Sequence, residues 1–167
     1  MTRSGNRENG YSLIELISVM VIVGVLAVAL LPRFADVDVF ASRGYFEEAL
    51  AATRYAHKLA MASGCSIEVR FDATADSLRV ARWTAGGDCT VRSGAALPVA
   101  RPGGGGEYVS TAPSGVDVAS DLTFYFDRVG RPHDSAGNLV TNPAALTVDI
   151  GGRRLQVIPE TGLVTES

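Results

Sequence analysis

The sequence predicts an α+β protein in which a long N-terminal helix, one half apolar and one half amphipathic, leads into an antiparallel β-sheet head. Three observations carry that expectation. The run from Tyr11 to Leu31 is almost wholly apolar and closes at Pro32. From Phe34 to Leu59 apolar residues recur at helical spacing. After Gly64 the period changes to two, as half-buried strands require.

At 167 residues the chain has about the length of one domain with a single modest core. A formal net charge of −3 gives no bulk reason to expect a polyanionic partner. Hydrophobic residues make up 47% of the chain, and they are concentrated near the N-terminus. The cysteines are two, Cys65 and Cys89. In an exported chain such a pair suggests one disulfide, whereas in the cytosol the two would more often be unrelated thiols.

Residues Met1 to Gly10 are polar and contain Arg3 and Arg7. The segment from Tyr11 to Leu31 that follows has about the length a helix needs to cross a bilayer. Basic residues before it place Met1 in the cytoplasm and the chain beyond Pro32 outside. An ordinary secretory signal fits poorly, because Pro32-Arg33-Phe34-Ala35-Asp36 offers no small-residue cleavage site after the run. Glu15 is the anomaly. A carboxylate within an apolar span costs on the order of 3 kcal/mol, so it calls for a partner.

The string Gly10-Tyr11-Ser12-Leu13-Ile14-Glu15-Leu16 resembles the class III signal of type IV pilins and type II secretion pseudopilins. The resemblance implies a pilin-like lollipop: a cleaved leader over 1–10, a membrane and filament-core half of the helix over 11–31, an amphipathic half over 32–63 and a β-sheet head over 64–167. It implies that prepilin peptidase cuts after Gly10, that Tyr11 becomes the methylated N-terminus, and that Pro32 breaks the helix. Most relatives begin with Phe, so Tyr11 departs from the commonest pattern while remaining aromatic. Cleavage would expose an amine at Tyr11, and an amine and a carboxylate attract far more strongly in a low-dielectric medium than in water. Glu15 can serve the amine of its own helix. By resemblance it pairs instead with that of a neighbouring subunit and so sets axial register. The implied partners are other pilins of the same filament, prepilin peptidase and an inner-membrane assembly platform. The implied location is the bacterial inner membrane with a periplasmic head, and then a pilus or pseudopilus.

Beyond Pro32, Phe34, Val37, Phe40 or Ala41, Tyr45, Ala49, Ala52, Ala56 and Leu59 form the helical stripe. Gly44 weakens its middle and Gly64 suits a C-terminal cap. From about Tyr11 to Ser63 the stalk would measure roughly 80 Å if straight. Ala49, Ala52 and Ala56 would let a sheet pack closely.

Cys65 to Phe71 alternates as a strand, Asp72 to Asp76 reads as a turn, and Ser77 to Thr84 returns. Gly86-Gly87-Asp88-Cys89 is a loop that a Cys65–Cys89 bond would tie to the end of the helix. Residues 93–120 read as an irregular, Gly-, Ala- and Pro-rich insertion. Leu122, Phe124 and Phe126 alternate on a further strand. Leu146–Ile150, Gly151-Gly152 and Arg153–Ile158 form the clearest hairpin. Phe46 to Val69, Phe126 to Pro132 and Thr161 to Val164 resemble the corresponding passages of H-type pseudopilins and FimT-like minor pilins. With the cysteine pair, they lean toward a minor pilin of the mannose-sensitive haemagglutinin (MSHA) type.

The sequence offers no credible catalytic set, cofactor site or metal site. His133-Asp134-Ser135 are adjacent and cannot form a relay, and His57 falls on the stalk. Gly103 to Gly106 lacks the lysine and the strand-turn-helix context of a phosphate loop. Asp134-Ser-Ala-Gly137-Asn138 lacks the spacing and closing Glu of a calcium loop, and reads as a turn. No further cysteine or histidine stands at metal-ligand spacing from Cys65 and Cys89. Arg128, Arg131, Arg153 and Arg154 form a candidate basic surface on the C-terminal strands, of the kind DNA-binding FimT-like pilins use. Asp127, Asp134 and Asp149 are interspersed among them, and no aromatic residues alternate with them, so a solvated sheet face is the preferred reading.

Overall fold

A computed structural model describes residues 12–30, 32–83, 89 and 96–167. Gly10, Tyr11 and the Gly86-Gly87-Asp88 part of the expected loop lie outside the described residues. The chain divides into two compact units, Met1–Val37 and Asp38–Ser167.

In the first unit, α1 spans Leu13–Leu30. The carbonyl of Ser12 accepts the N–H groups of Glu15 (3.0 Å) and Leu16 (3.2 Å), which starts the helical hydrogen-bond ladder. Among the described residues no helix is long and apolar enough to cross a membrane. The apolar run of the sequence continues into Tyr11 and Leu31, which are not described.

The second helix, α2, spans Pro32–Ser63, and Leu31, between it and α1, lies outside the described residues. Within the second unit α2 buries Tyr45, Phe46, Ala49, Leu50, Ala52, Ala56 and Ala60 along one face. The alanines are fully covered, as close sheet packing requires. Thr53 shares that face and satisfies its hydroxyl by donating to the Ala49 carbonyl at 2.8 Å. Phe40, offered with Ala41 as a stripe position, is 74% exposed, and Ala41 is the one packed against the core. Gly44 does not interrupt the helix. At the far end Gly64 N–H donates to the Ala60 carbonyl at 3.0 Å and closes the last turn.

Among the described residues two antiparallel sheets follow. The larger contains β1 (Ile67–Asp72), β2 (Ser77–Trp83), β3 (Ala96–Pro98), β4 (Val109–Thr111), β5 (Leu122–Phe126) and β6 (Pro132–Asp134). Its order is β3-β2-β1-β5-β6, with β4 also on β2. The smaller runs β7 (Thr147–Ile150), β8 (Arg153–Val157), β9 (Val164–Glu166), after a short 3₁₀ turn at Pro143–Leu146. The β7–β8 turn is Gly151-Gly152 with φ of 55° and 79°, values that suit the tight hairpin its glycines predicted.

Alternation sorts the larger sheet cleanly. Ile67, Val69, Phe71, Leu78, Val80, Phe124 and Phe126 face inward and are buried, in one core with the apolar face of α2 and with Val148, Ile150, Leu155 and Val157 of the smaller sheet. Burying each such phenylalanine stabilises the fold by about 2 kcal/mol. The segment expected to be irregular differs from that reading. Between residues 96 and 120 it supplies β3 and β4 and buries Tyr108, Val116 and Val118. Strands of three residues leave too little alternation to be seen in a sequence.

Candidate functional site

Two regions hold the residues singled out in the sequence: α1 and the surface of the head. On α1 the exposed residues include Leu13, Ile14, Leu16, Ile17, Met20, Ile22 and Leu26, from 47% to 75%. They point in every direction around the axis. A helix that is apolar all round has no face suited to water and is stable only when surrounded by lipid or protein. Glu15 stands in its first turn, where a carboxylate complements the positive end of the helix dipole. The Ser18 hydroxyl donates to the Glu15 carbonyl at 2.8 Å, so this serine satisfies itself within the helix.

The head is tied by a disulfide between Cys65 and Cys89, separated by 24 positions. The Cys89 carbonyl also accepts the N–H of Ser66 at 2.9 Å, so backbone and side chain both hold that loop residue beside the end of α2.

The four arginines of the candidate basic surface are not gathered into one patch. Arg128 and Arg131 stand at the β5–β6 turn, and Arg153 and Arg154 on β8 of the other sheet. Being adjacent in a strand, Arg153 and Arg154 point to opposite faces. Arg153 pairs with Glu166 at 2.6 Å and lies over the Phe46 ring at 5.0 Å. Arg154 pairs with Asp149 at 2.8 Å, and that hydrogen bond holds the Asp149 carboxyl below its ordinary range. Arg131 pairs with Asp127 at 3.0 Å. Three of the four charges are thus answered within the fold.

The β5–β6 turn is a feature that the sequence reading missed. Asp127 Oδ1 accepts the N–H groups of Val129 (3.0 Å) and Arg131 (2.9 Å), and Oδ2 faces Arg131 Nε and His133 Nε2, each at 3.1 Å. Burial opposes ionisation of Asp127, but these donors outweigh it and hold the carboxyl below its usual value. The signal was present as Asp127-Arg-Val-Gly130, an Asx turn closed by glycine. His133 therefore serves the turn rather than a relay with Asp134 and Ser135. Asp134 Oδ1 accepts from the N–H groups of Ala136 and Asn138, so the calcium-like stretch is a self-satisfied turn. Among the described residues no group of three His, Cys, Asp or Glu side chains could hold a metal ion. Gly103 to Gly106 form the tip of a small hairpin, where Arg101 N–H donates to the Gly106 carbonyl at 2.9 Å.

His57 is on α2, as expected, and its ring meets Phe126 edge-on at 5.0 Å. The turns at Gly130 and Thr161-Gly162 close over it. Their carbonyls lie toward the ring, yet no hydrogen bond of normal geometry reaches the buried Nε2. Burial, first, and then neighbouring Lys58 favour the neutral ring and push its pKa below 6.5.

Tyr45 is fixed by position rather than by chemistry. Its hydroxyl reaches the carbonyls of Ser110 (3.3 Å) and Asp76 (3.4 Å), and burial, with Glu48 and Asp76 nearby, raises its pKa to about 12.

No curated protein and no solved structure matches the chain. Residues 5–31 match the prokaryotic N-terminal methylation motif. That stretch includes Gly10, Tyr11, Glu15 and the described part of α1. The chain thus carries, at its N-terminus, the class III prepilin signal that supports a type IV pilin-like or pseudopilin subunit.

Proposed function

We propose that this chain is a minor pilin or pseudopilin, a structural subunit that prepilin peptidase cleaves after Gly10 and that then joins a filament. The observation that carries the reading is the methylation motif over residues 5–31, because it falls on an apolar helix that water alone cannot accommodate. Before assembly the run from Tyr11 to Leu31 lies in the inner membrane and the head in the periplasm. On assembly it moves from lipid to a core of like helices. Little burial is lost in that transfer, since lipid tails and packed apolar side chains shelter it comparably.

Glu15 gains a partner in the new amine at Tyr11 of a neighbour. The Cys65–Cys89 bond, which suits an oxidising compartment, braces the head against adjoining subunits near the tip. The reading assigns the chain no catalytic step and no cofactor. The MSHA-type pilus is the preferred filament and the type II secretion pseudopilus the next. The rival reading, a DNA-binding minor pilin, draws no support from Arg131, Arg153 and Arg154, whose charges are already paired. A membrane-anchored periplasmic enzyme is a weaker rival still, as no convergent set of reactive groups among the described residues supports it.

Mass spectrometry of the mature N-terminus tests the proposal, with and without Gly10→Val. A methylated Tyr11 that disappears in the variant is the expected result. An intact Met1 in the wild type, or cleavage beyond Pro32, would overturn it.

A further inference from the structure

One side of α2 holds a single segment of the smaller sheet at two points. Arg54 and His57 stand three positions apart on the helix and so share that side. Arg54 donates through Nε (3.1 Å) and Nη2 (3.0 Å) to the Val164 carbonyl of β9. His57 closes on the turn just before it, where a β-carbon on Gly162 would lie 2.7 Å from Nε2. Residues 159–167 are therefore clasped once by a permanent charge and once by a ring that titrates.

Little else holds that segment. It contributes one side chain, Val164, to the hydrophobic core. β9 has three residues and lies at the edge of its sheet, paired with β8. The remaining ties are backbone bonds and one ion pair. Ile158 N–H donates to the Leu163 carbonyl at 2.8 Å, Ser167 N–H donates to the Arg154 carbonyl at 3.0 Å, and Glu166 meets Arg153. A segment with so few buried contacts opens locally at a fraction of the cost of global unfolding.

The closed form has no place for a charged ring. Nε2 of His57 is buried without a hydrogen bond of normal geometry, and Phe126 meets the ring edge-on. The carbonyls of Gly130 and Thr161 lie toward the ring, but burial outweighs them, and Lys58 on the same helix repels a second cation. Among the described residues no carboxylate forms an ion pair with it. On the β5–β6 turn Asp127 is engaged by Arg131 and His133. On the segment itself Glu166 is engaged by Arg153, and Glu160 is exposed. His133, the other histidine, faces two acceptors, Asp127 Oδ2 and the Gly137 carbonyl, so a proton gained there tightens its turn.

We propose that residues 159–167 form a strap that acid releases: when His57 takes up a proton, the Thr161-Gly162 turn lifts from α2 and β9 leaves the edge of the smaller sheet. Opening gives the imidazolium the water that the closed form denies it. The β5–β6 turn keeps its shape, because Asp127 still holds it from within. Once β9 has left, β8 presents an unpaired edge, the part of a sheet that accepts a further strand. The strands of the larger sheet stay paired throughout, which separates this device from general acid unfolding. It belongs to the head and does not depend on which filament, if any, the chain enters.

Hydrogen exchange read by mass spectrometry tests the strap on the full-length chain in detergent at pH 7.5 and 5.5, with exchange times scaled for the intrinsic rate. Protection over residues 163–167 is expected to fall several-fold at the lower pH. The limit is about tenfold, for an imidazole of pKa about 6.5 in the open form that binds no proton in the closed one. Amides of β1 and β2 should keep their protection. His57→Gln and His57→Phe should each show no pH-dependent loss over 163–167. Each variant is compared with itself across pH, so a changed baseline does not blur the result. Unchanged protection in the wild type, an equal loss in both variants, or a loss shared by β1 and β2 would overturn the proposal.

Discussion

His57 fills the space that a side chain at Gly130 would need. A β-carbon built on Gly130 would lie 2.6 Å from Nε2 of His57 and 3.0 Å from Sδ of Met61. Gly162, in the adjoining turn, is confined more severely, since its β-carbon would overlap the backbone carbonyl of Gly130 as well as the ring. Both glycines have left-handed φ, 84° and 66°. Helix, turn and turn are thus stacked through hydrogen atoms alone.

Substitution at these glycines should therefore rank by what stands in the way. Gly152→Ala, with φ of 79° and open space around it, isolates the backbone cost of about 1 kcal/mol. Gly130→Ala adds an overlap that His57 and Met61 can partly relieve, for about 2 kcal/mol in all. Gly162→Ala meets immovable backbone and should cost about 3 kcal/mol or more. Urea unfolding of the detergent-solubilised chain gives the order. Equal midpoints for Gly152→Ala and Gly162→Ala would refute the stacking.

The same contact makes a prediction about pH. Burial lowers the pKa of His57 in the folded chain below its unfolded value of 6.5. The unfolded chain then binds more protons than the folded one as pH falls through 6.5, so stability is full above that value and declines below it. Asp127 works in the same direction further down, because its folded pKa is depressed below 3.8 and its contribution is lost only in stronger acid. Melting curves between pH 7.5 and 5 should show a falling midpoint in the wild type and a shallower fall in His57→Phe. Parallel curves for the two proteins would exclude His57 as the source.

Reduction of the disulfide has a predictable size. Closing a loop with a separation of 24 positions stabilises a fold by about 3 kcal/mol on the chain-entropy model. Cys89→Ser should lower the unfolding free energy by about that amount in oxidising buffer, and a reductant should then have no further effect on the variant. A loss below about 1 kcal/mol would mean that Ser66 N–H and the Cys89 carbonyl hold the loop unaided.

Legibility in the sequence followed periodicity. The alternation of Ile67, Val69 and Phe71, the paired glycines before Arg153 and the alanines of α2 were readable because each repeats a local rule several times. Tyr108, Val116 and Val118 escaped because they enter the core from irregular backbone beside the short β4, where no period marks the buried positions. The placement of the arginines was out of reach for another reason. Adjacency in sequence made Arg153 and Arg154 candidates for one surface, while the pleat of β8 sends them to opposite faces and supplies each with a carboxylate. Glu15 and its setting were legible throughout, since an acid within an apolar run is a local anomaly that needs no fold to be noticed.

Glu15 therefore yields the sharpest functional expectation. Its carboxylate disfavours a lipid environment by on the order of 3 kcal/mol, so Glu15→Leu should insert at least as well as the wild type. Cleavage after Gly10 should persist, as that peptide bond and the basic leader are unchanged. On the proposed assembly contact, the variant would lack a counter-charge for the amine of a neighbouring Tyr11, an interaction far stronger in a low-dielectric core than in water. Processed subunits should then accumulate in the inner membrane while incorporation into filaments falls by tenfold or more, about 1.4 kcal/mol of lost contact. Membrane fractionation with immunoblotting of sheared filaments reads both quantities. Normal incorporation of Glu15→Leu would show that the carboxylate is no assembly contact and that the apolar surface of α1 sets register alone.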